Sequence, residues 1–138
     1  MKVTIRKTLA SDHTAIIDLF NRCFHKNILY HDFNLDNDNI IIIAEVEERI
    51  IGLLEIDFIT NRVQNTKYAM INNVCVDEVF RQFGIGTLLI KSAEDICKQH
   101  NCSFINLTSN KSRTEAHALY KKEGYHIIDT CILKKDLY

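Results

Sequence analysis

The chain has 138 residues, of which 46% are hydrophobic and 25% are charged, and its formal net charge is −1. This size and balance predict one soluble domain spanning residues 1–138, and the near-neutral charge gives no support for nucleic acid or an anionic membrane as a partner. No apolar stretch is long enough for a signal peptide or a membrane span, so we expect a cytoplasmic protein. An odd number of cysteines without a Cys-x-x-Cys pair, together with scattered histidines, predicts neither a disulfide framework nor a metal site.

The first part of the chain predicts a strand and then a helix. Val3 to Ile5 alternate with polar neighbours, as in a strand. Ser11 is a suitable N-cap, and the apolar residues that follow recur at helical spacing: Ile16, Leu19, Phe20 and Cys23. From His25 to Asn39 the pattern is irregular, and we expect a short helix and a loop there.

Three further strands are predicted next. The runs 40–46 and 50–60 are rich in β-branched residues, and Glu47 to Arg49 join them as an antiparallel hairpin. Gly52 indicates a bulge in the second run. A polar turn over 61–66 then leads to a strand over 68–76.

The last part predicts two helices and two strands. A helix after Gly84 has an apolar stripe and ends at Asn101; the stripe comprises Ile85, Leu88, Leu89, Ile96 and Cys97. A short buried strand covers 104–107. Ser112 and Glu115 form a capping box for a helix that ends at Gly124, and 125–137 reads as a final strand.

This order of elements predicts an α/β (α+β) fold with a mixed, mostly antiparallel sheet. We expect about six to seven strands, with helices on both faces. The strands over 68–76 and 104–107 are joined by a helix, so they should be parallel.

One motif at the end of the 68–76 strand suggests a function. Arg81-x-x-Gly84-x-Gly86 stands between that strand and the next helix. Unpaired N–H groups at a helix N-terminus attract anions, glycine permits close approach of the backbone, and an arginine adds a charge-assisted contact. The motif therefore predicts a diphosphate site, although a Gly-x-Gly before a helix is often only a tight turn. Neither the Rossmann nor the P-loop pattern is present.

A second motif lies further along the chain and makes the pattern more specific. Ala116-x-x-Leu119-Tyr120-x-x-x-Gly124-Tyr125 follows the glycine motif after a short strand. Together, the two motifs and the element order resemble the GNAT superfamily of acetyl-CoA-dependent N-acetyltransferases. The form of the second motif is similar to that of small-molecule members such as aminoalkylphosphonate and aminoglycoside acetyltransferases.

The resemblance implies a site for acetyl-CoA as co-substrate. The backbone at Val74, Cys75 and Val76 would pair with the pantetheine arm, and the Val76 N–H would lie near the oxyanion. Arg81 and the following backbone would bind the pyrophosphate: Gln82, Phe83, Gly84, Ile85, Gly86 and Thr87. Arg113 would contact a cofactor phosphate or an anionic substrate, or face solvent. Tyr120 stands at the position of the family's general acid, and the alternative is a core aromatic residue.

The general base departs from the family pattern, because Asn72 and Asn73 occupy the place where many relatives have a carboxylate. Neutral amides cannot remove a proton from an ammonium group. The remaining candidates are Glu55, Asp57, His31 and Asp32. We favour Glu55 because it flanks the predicted gap between strands, although it is equally suited to a solvated sheet face.

These features predict an enzyme that transfers acetyl from acetyl-CoA to a primary amine of a small molecule by direct attack. Two alternatives are a protein or peptide N-acetyltransferase and a non-catalytic acyl-CoA-binding module, which Asn72 and Asn73 make plausible. A homodimer is possible by resemblance. No nucleic acid, membrane or metal is expected.

Overall fold

The computed structural model describes residues 1–28 and 38–138. The chain forms two compact units, Met1–Thr108 and Ser109–Tyr138. In its described residues, the first unit contains five strands and two α-helices, which are β1 (Thr4–Lys7), α1 (His13–Phe24), β2 (Asn39–Val46), β3 (Arg49–Asn61), β4 (Thr66–Val76), α2 (Ile85–Gln99) and β5 (Ile105–Leu107). Single 3-10 turns at Ala10–Asp12 and Glu78–Phe80 precede α1 and α2. The second unit contains α3 (Thr114–Lys122).

The strands form one sheet in the order β1-β2-β3-β4-β5. Each neighbouring pair is antiparallel except β4 and β5, which are parallel. The predicted α/β class, the mixed sheet and the parallel pair are confirmed. The β2–β3 hairpin turns at Glu47 and Glu48, whose φ angles are 49° and 63°. Such left-handed pairs suit a two-residue hairpin because their twist matches that of the strands.

Helices cover both faces of this sheet, as predicted. On one face, Ile16 and Leu19 of α1 share a buried cluster with Leu53 of β3. The adjacent Gly52 faces the opposite side, because successive strand residues alternate. There a Cβ on Gly52 would lie 3.3 Å from side-chain atoms of Ile85 and Leu89 in α2. The glycine therefore lets α2 approach β3 closely.

Gly52 predicted a bulge in β3, and the structure has one at the adjacent residue, Ile51. Ala44 pairs with Gly52 whereas Glu45 pairs with Ile50, so Ile51 is the additional residue. The predicted helix stops are also confirmed, since Asn101 has φ 61° and Gly124 has φ 94°. At both ends the chain reverses through left-handed residues, as is common after helices.

The predicted final strand is wrong. Residues 125–138 contain no strand, and the sheet of the described chain has five strands rather than six to seven. The apolar side chains that suggested a strand, Ile127, Ile128, Ile132 and Leu133, are exposed. A strand requires a hydrogen-bonded neighbour, and composition does not supply one.

Three local predictions also need correction. Ser11 does not cap α1; it lies in the preceding 3-10 turn, where the Asp12 carboxylate accepts from the Leu9 N–H at 2.7 Å. Ser112 does not form a capping box, because its hydroxyl donates to Asn110. Leu88 is 42% exposed and lies outside the buried stripe of α2, which comprises Ile85, Leu89, Ile90, Ala93 and Cys97.

The prediction of a short helix and a loop over 25–39 falls largely on residues outside the described ranges, as do the candidates His31 and Asp32. Among the helices in the described ranges, none is long and apolar enough to span a membrane.

Candidate active site

The site begins where β4 extends beyond β5. Their pairing ends at Ile71 and Leu107, while β4 continues to Val76. In this part of β4, which β5 does not pair but β3 does, the β3–β4 register shifts: Glu55 pairs with Asn72, whereas Leu53 pairs with Cys75. A bulge at Asn73 and Val74 results, and Asn73 has a left-handed φ of 54°. Bulges of this kind redirect the backbone of a strand.

The peptide groups of Val76 point away from β3. The Asp77 N–H donates to the Ile51 carbonyl at 2.7 Å, which makes Val76 and Gly52 a non-hydrogen-bonded pair of the antiparallel ladder. In such a pair the N–H and C=O of each residue face outward. The Val76 N–H is thus directed to the edge of β4 where β5 no longer pairs.

The glycine motif forms a turn with open backbone amides. Gln82 and Gly84 have left-handed φ angles of 69° and 78°, and α2 begins at Ile85 without a side-chain cap. Within residues 1–28 and 38–138, no carbonyl or side chain accepts from the N–H groups of Gln82 to Thr87. These N–H groups are therefore available to a bound anion at a helix N-terminus.

Arg81 links this turn to β4. Its Nε donates to the Val76 carbonyl at 3.0 Å, and the side chain is exposed. The predicted pyrophosphate contact could use only the two terminal nitrogens, because Nε is already bonded. The same hydrogen bond occupies the Val76 carbonyl. Of the two outward backbone groups of Val76, only the N–H therefore has no hydrogen-bond partner within the described residues.

Asp77 fixes the position of the turn relative to the rest of the unit. Its carboxylate accepts from Arg22 of α1, from Arg49 of β3 at 3.5 Å and from the Val79 N–H at 3.2 Å. Burial opposes ionisation of Asp77, but the bonds from Arg22 and Val79 outweigh it, so the pKa of Asp77 is lowered. The turn is thus bound to both a helix and a strand through one buried carboxylate.

We expect Asp77→Asn to destabilise the fold by about 1–3 kcal/mol at pH 7, because a buried charged acceptor is lost. Since the folded pKa of Asp77 is lowered, its contribution is complete above the unfolded value near ~4 and is lost as the pH falls through the folded value. Thermal unfolding at pH 7 and pH 3 would therefore show a difference between variant and wild type that shrinks in acid.

Asp18→Asn provides a matched control for that measurement. Asp18 also binds Arg22, at 3.0 Å, but its side chain is 67% exposed whereas that of Asp77 is 4% exposed. Exposed pairs of this kind contribute roughly 0.3–0.5 kcal/mol. Equal destabilisation by the two substitutions would contradict the role assigned to Asp77.

The two asparagines of β4 hold two carboxylates of β3. Asn73 Nδ2 donates to Glu55 Oε1 at 3.0 Å, and Asn72 Nδ2 donates to Asp57 Oδ2 at 2.7 Å. Asn39 donates to the other oxygen of Asp57. Both oxygens of Asp57 are thus engaged, whereas Glu55 Oε2 has no donor in the described part of the chain. Of the two carboxylates, Glu55 thus keeps one oxygen open to a further donor.

Arg113 and Tyr120 lie in the second unit. Arg113 is exposed at the N-cap of α3. Tyr120 is buried in the same helix, and its ring meets that of Tyr125 edge-on at a centroid distance of 6.2 Å. Burial raises the pKa of Tyr120, with a smaller opposing effect from the charge of Arg113. The phenol therefore remains protonated at neutral pH, as an acid must.

Sequence reasoning missed two parts of this arrangement. The Arg22–Asp77 pair joins residues far apart in the chain, and no local pattern predicts such a contact. The sequence was used only to conclude that Asn72 and Asn73 cannot act as a base. Their position next to a strand with two carboxylates could also have indicated that these amides bind Glu55 and Asp57.

A sequence model of the "Acetyltransferase (GNAT) family" matches residues 5–125. The chain therefore belongs to the GNAT acetyltransferase family. The predicted resemblance to this family is confirmed.

Individual relatives agree with this assignment. The chain is 32% identical over 87 residues to GCN5-related N-acetyltransferase 4, chloroplastic, of Arabidopsis thaliana, a match covering 57% of this chain and 30% of that protein. The matches span about a third of the length of the curated relatives. We therefore treat the activity, substrates and partners of the whole protein as proposals.

Solved structures show the same fold. An aminoglycoside acetyltransferase, meta-AAC0020, from an uncultured soil metagenomic sample, in complex with sisomicin, superposes with a TM-score of 0.87 at 18% identity, covering 99% of this chain and 96% of that one. Glucosamine-6-phosphate N-acetyltransferase from Arabidopsis thaliana gives 0.82 at 20% identity, covering 98% and 99%. At these identities the likeness concerns the fold alone.

Proposed function

We propose that residues 1–138 act as one N-acetyltransferase domain that transfers the acetyl group of acetyl-CoA to a primary amine of a small molecule. One observation above all supports this: the run of N–H groups from Gln82 to Thr87 has no acceptor within the described ranges. Such groups at a helix N-terminus suit a diphosphate, and acetyl-CoA contains one.

The edge of β4 suits the rest of the co-substrate. An extended chain can pair with an open strand edge, and β4 has such an edge beyond Ile71. In this proposal the pantetheine arm lies along Val74 to Val76, and the outward Val76 N–H stabilises the oxyanion that develops when the thioester carbonyl is attacked.

The proposed reaction is direct. The amine nitrogen attacks the thioester carbon, and the tetrahedral intermediate then collapses with loss of the C–S bond. A primary amine with a pKa near ~10.4 is mostly protonated at pH 7, and removing its proton costs about 4.6 kcal/mol. We assign that proton to Glu55, and we assign protonation of the leaving thiolate to Tyr120.

The acceptor is proposed to be a cationic small molecule. Glu55 and Asp57 lie on one face of β3, since they are separated by one residue, and both are half-buried. Two neighbouring carboxylates favour a positively charged ligand. The aminoglycoside acetyltransferase among the structural neighbours is consistent with such an acceptor.

Thiol release from acetyl-CoA, measured over a panel of amines, amino acids, aminoglycosides and peptides, tests this proposal. We expect turnover with small polycationic amines and little with peptides. Turnover confined to peptides would favour a protein N-acetyltransferase. Tight binding of acetyl-CoA without turnover on any amine would favour an acyl-CoA-binding module.

Substitution of Arg81 tests the phosphate site separately. We expect Arg81→Ala to raise the KM for acetyl-CoA by ~10–100-fold, because a charge-assisted hydrogen bond contributes about 1.5–3 kcal/mol. Arg81→Lys should recover part of that loss by keeping the charge. Steady-state kinetics with acetyl-CoA as the varied substrate measures both.

Arg62→Ala is the control for net charge, because Arg62 is an exposed arginine in the turn between β3 and β4. Its KM for acetyl-CoA should match that of the wild type. An unchanged KM in Arg81→Ala, or an equal rise in Arg62→Ala, would remove Arg81 from the proposed site.

A further inference from the structure

Two cysteines, Cys23 and Cys75, lie where α1 packs against the sheet. Cys23 lies in the last turn of α1 and is half-buried, and its Sγ lies 3.6 Å from the Val76 oxygen as a hydrogen-bond donor. It packs against the buried cluster of α1 and the sheet that includes Cys75 of β4. Arg81 donates to the same carbonyl at 3.0 Å. A half-exposed thiol and a guanidinium group thus donate to one peptide oxygen, and a second, buried thiol lies in the cluster against which the first one packs.

The two thiols differ in chemical character. Hydrogen bonding with Cys75 lowers the pKa of Cys23 to about 7 despite partial burial, and the positive charges of Arg81 and Arg22 add to this. The same bond and burial raise the pKa of Cys75. Since the thiolate is the reactive form of cysteine, Cys23 is suited to attack and Cys75 is the adjacent buried partner.

We propose that Cys23 is an oxidation site, with a hydroperoxide as the oxidant, and that Cys75 converts the first product into a disulfide between α1 and β4. The Cys23 thiolate attacks one peroxide oxygen, the O–O bond breaks, and a sulfenic acid forms with release of water or an alcohol. The Cys75 sulfur then attacks the Cys23 sulfur, the S–O bond breaks, and the Cys75 proton leaves with the hydroxyl group as water. Two thiols are oxidised and one peroxide is reduced.

A second cysteine pair in the first unit serves as an internal control. Cys97 is buried and Cys102 is half-buried. Burial raises the pKa of Cys97 to about 12 and also raises that of Cys102. This pair should hold little thiolate at neutral pH and react slowly.

The test is peptide mapping of the reduced protein after treatment with hydrogen peroxide at pH 7, with remaining thiols alkylated after denaturation. We expect a Cys23–Cys75 linked peptide to form at least ~10-fold faster than any Cys97–Cys102 link, because of the difference in thiolate population. Cys23→Ser should abolish the link, and Cys131→Ser, which removes an exposed cysteine of the second unit, should leave it unchanged. Reaction of Cys97 and Cys102 at the same rate, or linkage of Cys23 to another cysteine, would overturn the proposal.

A trapping experiment examines the first step alone. In Cys75→Ser the hydroxyl can still donate to the Cys23 sulfur but cannot form a disulfide, so the sulfenic acid on Cys23 should persist and dimedone should label Cys23 in preference to Cys102 and Cys131. Labelling of those residues in its place would contradict the assignment. If Cys75→Ser does not fold, the mapping of wild type and Cys23→Ser decides the question, and neither readout depends on acetyltransferase activity.

Discussion

Tyr120→Phe is expected to lower kcat by ~10²–10⁴-fold, the usual contribution of a positioned general acid. The phenol is buried in α3, and its raised pKa keeps it protonated well into the alkaline range. A phenylalanine preserves the ring but cannot donate a proton to the leaving thiolate. Because the missing group acts on the leaving sulfur, the KM for acetyl-CoA should change little. Initial rates of thiol release at varied acetyl-CoA concentrations would give kcat and KM separately.

Tyr125→Phe is the matched control for this substitution. Tyr125 lies beside Tyr120 in the second unit, at a centroid distance of 6.2 Å, but has no proposed part in the chemistry. It should retain nearly full kcat. Both variants should unfold at the wild-type temperature, within a few degrees. Wild-type kcat in Tyr120→Phe would remove the general-acid assignment while leaving the cofactor site intact.

Glu55→Gln is expected to lower kcat/KM at pH 7 by ~10²-fold, because general-base help is lost. The glutamine retains the shape of the side chain and can still bond with Asn73, which holds Glu55 Oε1 at 3.0 Å in the wild type. The loss should shrink as the pH approaches the pKa of the amine, near ~10.4, because the amine then arrives unprotonated. The loss in Tyr120→Phe should not shrink in the same way below the raised pKa of the phenol.

Asp57→Asn allows the two carboxylates to be compared. Asp57 is on the same face of β3, but both of its oxygens accept from amides, those of Asn39 and Asn72. We therefore expect a much smaller effect on kcat/KM and no recovery at high pH. A larger loss in Asp57→Asn than in Glu55→Gln would transfer the role of base to Asp57.

The parts of the fold that depend on neighbouring residues were predictable from the sequence. The glycine turn before α2, the polar turn of the β3–β4 hairpin and the helix stops at Asn101 and Gly124 each follow from residues that accept left-handed or polar positions. The parallel arrangement of β4 and β5 followed from the helix that joins them.

The errors arose where a distant partner decides the outcome. Residues 125–138 have the composition of a strand, but no strand pairs with them in the described chain. In α2, Leu88 and Leu89 are equally apolar, but the helix face that approaches Gly52 carries Ile85 and Leu89, so Leu89 is buried whereas Leu88 is exposed. Ser11 is an exception, because the competing contact is local: the Asp12 carboxylate accepts from the Leu9 N–H within the preceding turn.

The candidate site shows the same division. The amides of Gln82 to Thr87 could be predicted from the glycine motif. The bonds that hold Glu55 and Asp57, and the buried pair of Asp77 with Arg22, join separate strands and helices. A single sequence does not indicate which polar residues will meet across a sheet, so these contacts required the structure.

The most direct test of the central claim is the change in backbone amide ¹H and ¹⁵N chemical shifts when acetyl-CoA is added. If the diphosphate binds the open N–H groups, the largest changes should fall at Gln82 to Thr87, and pantetheine alone should shift only the β4 edge near Val74 to Val76. Saturating acetyl-CoA that leaves the six amides unmoved would contradict the account.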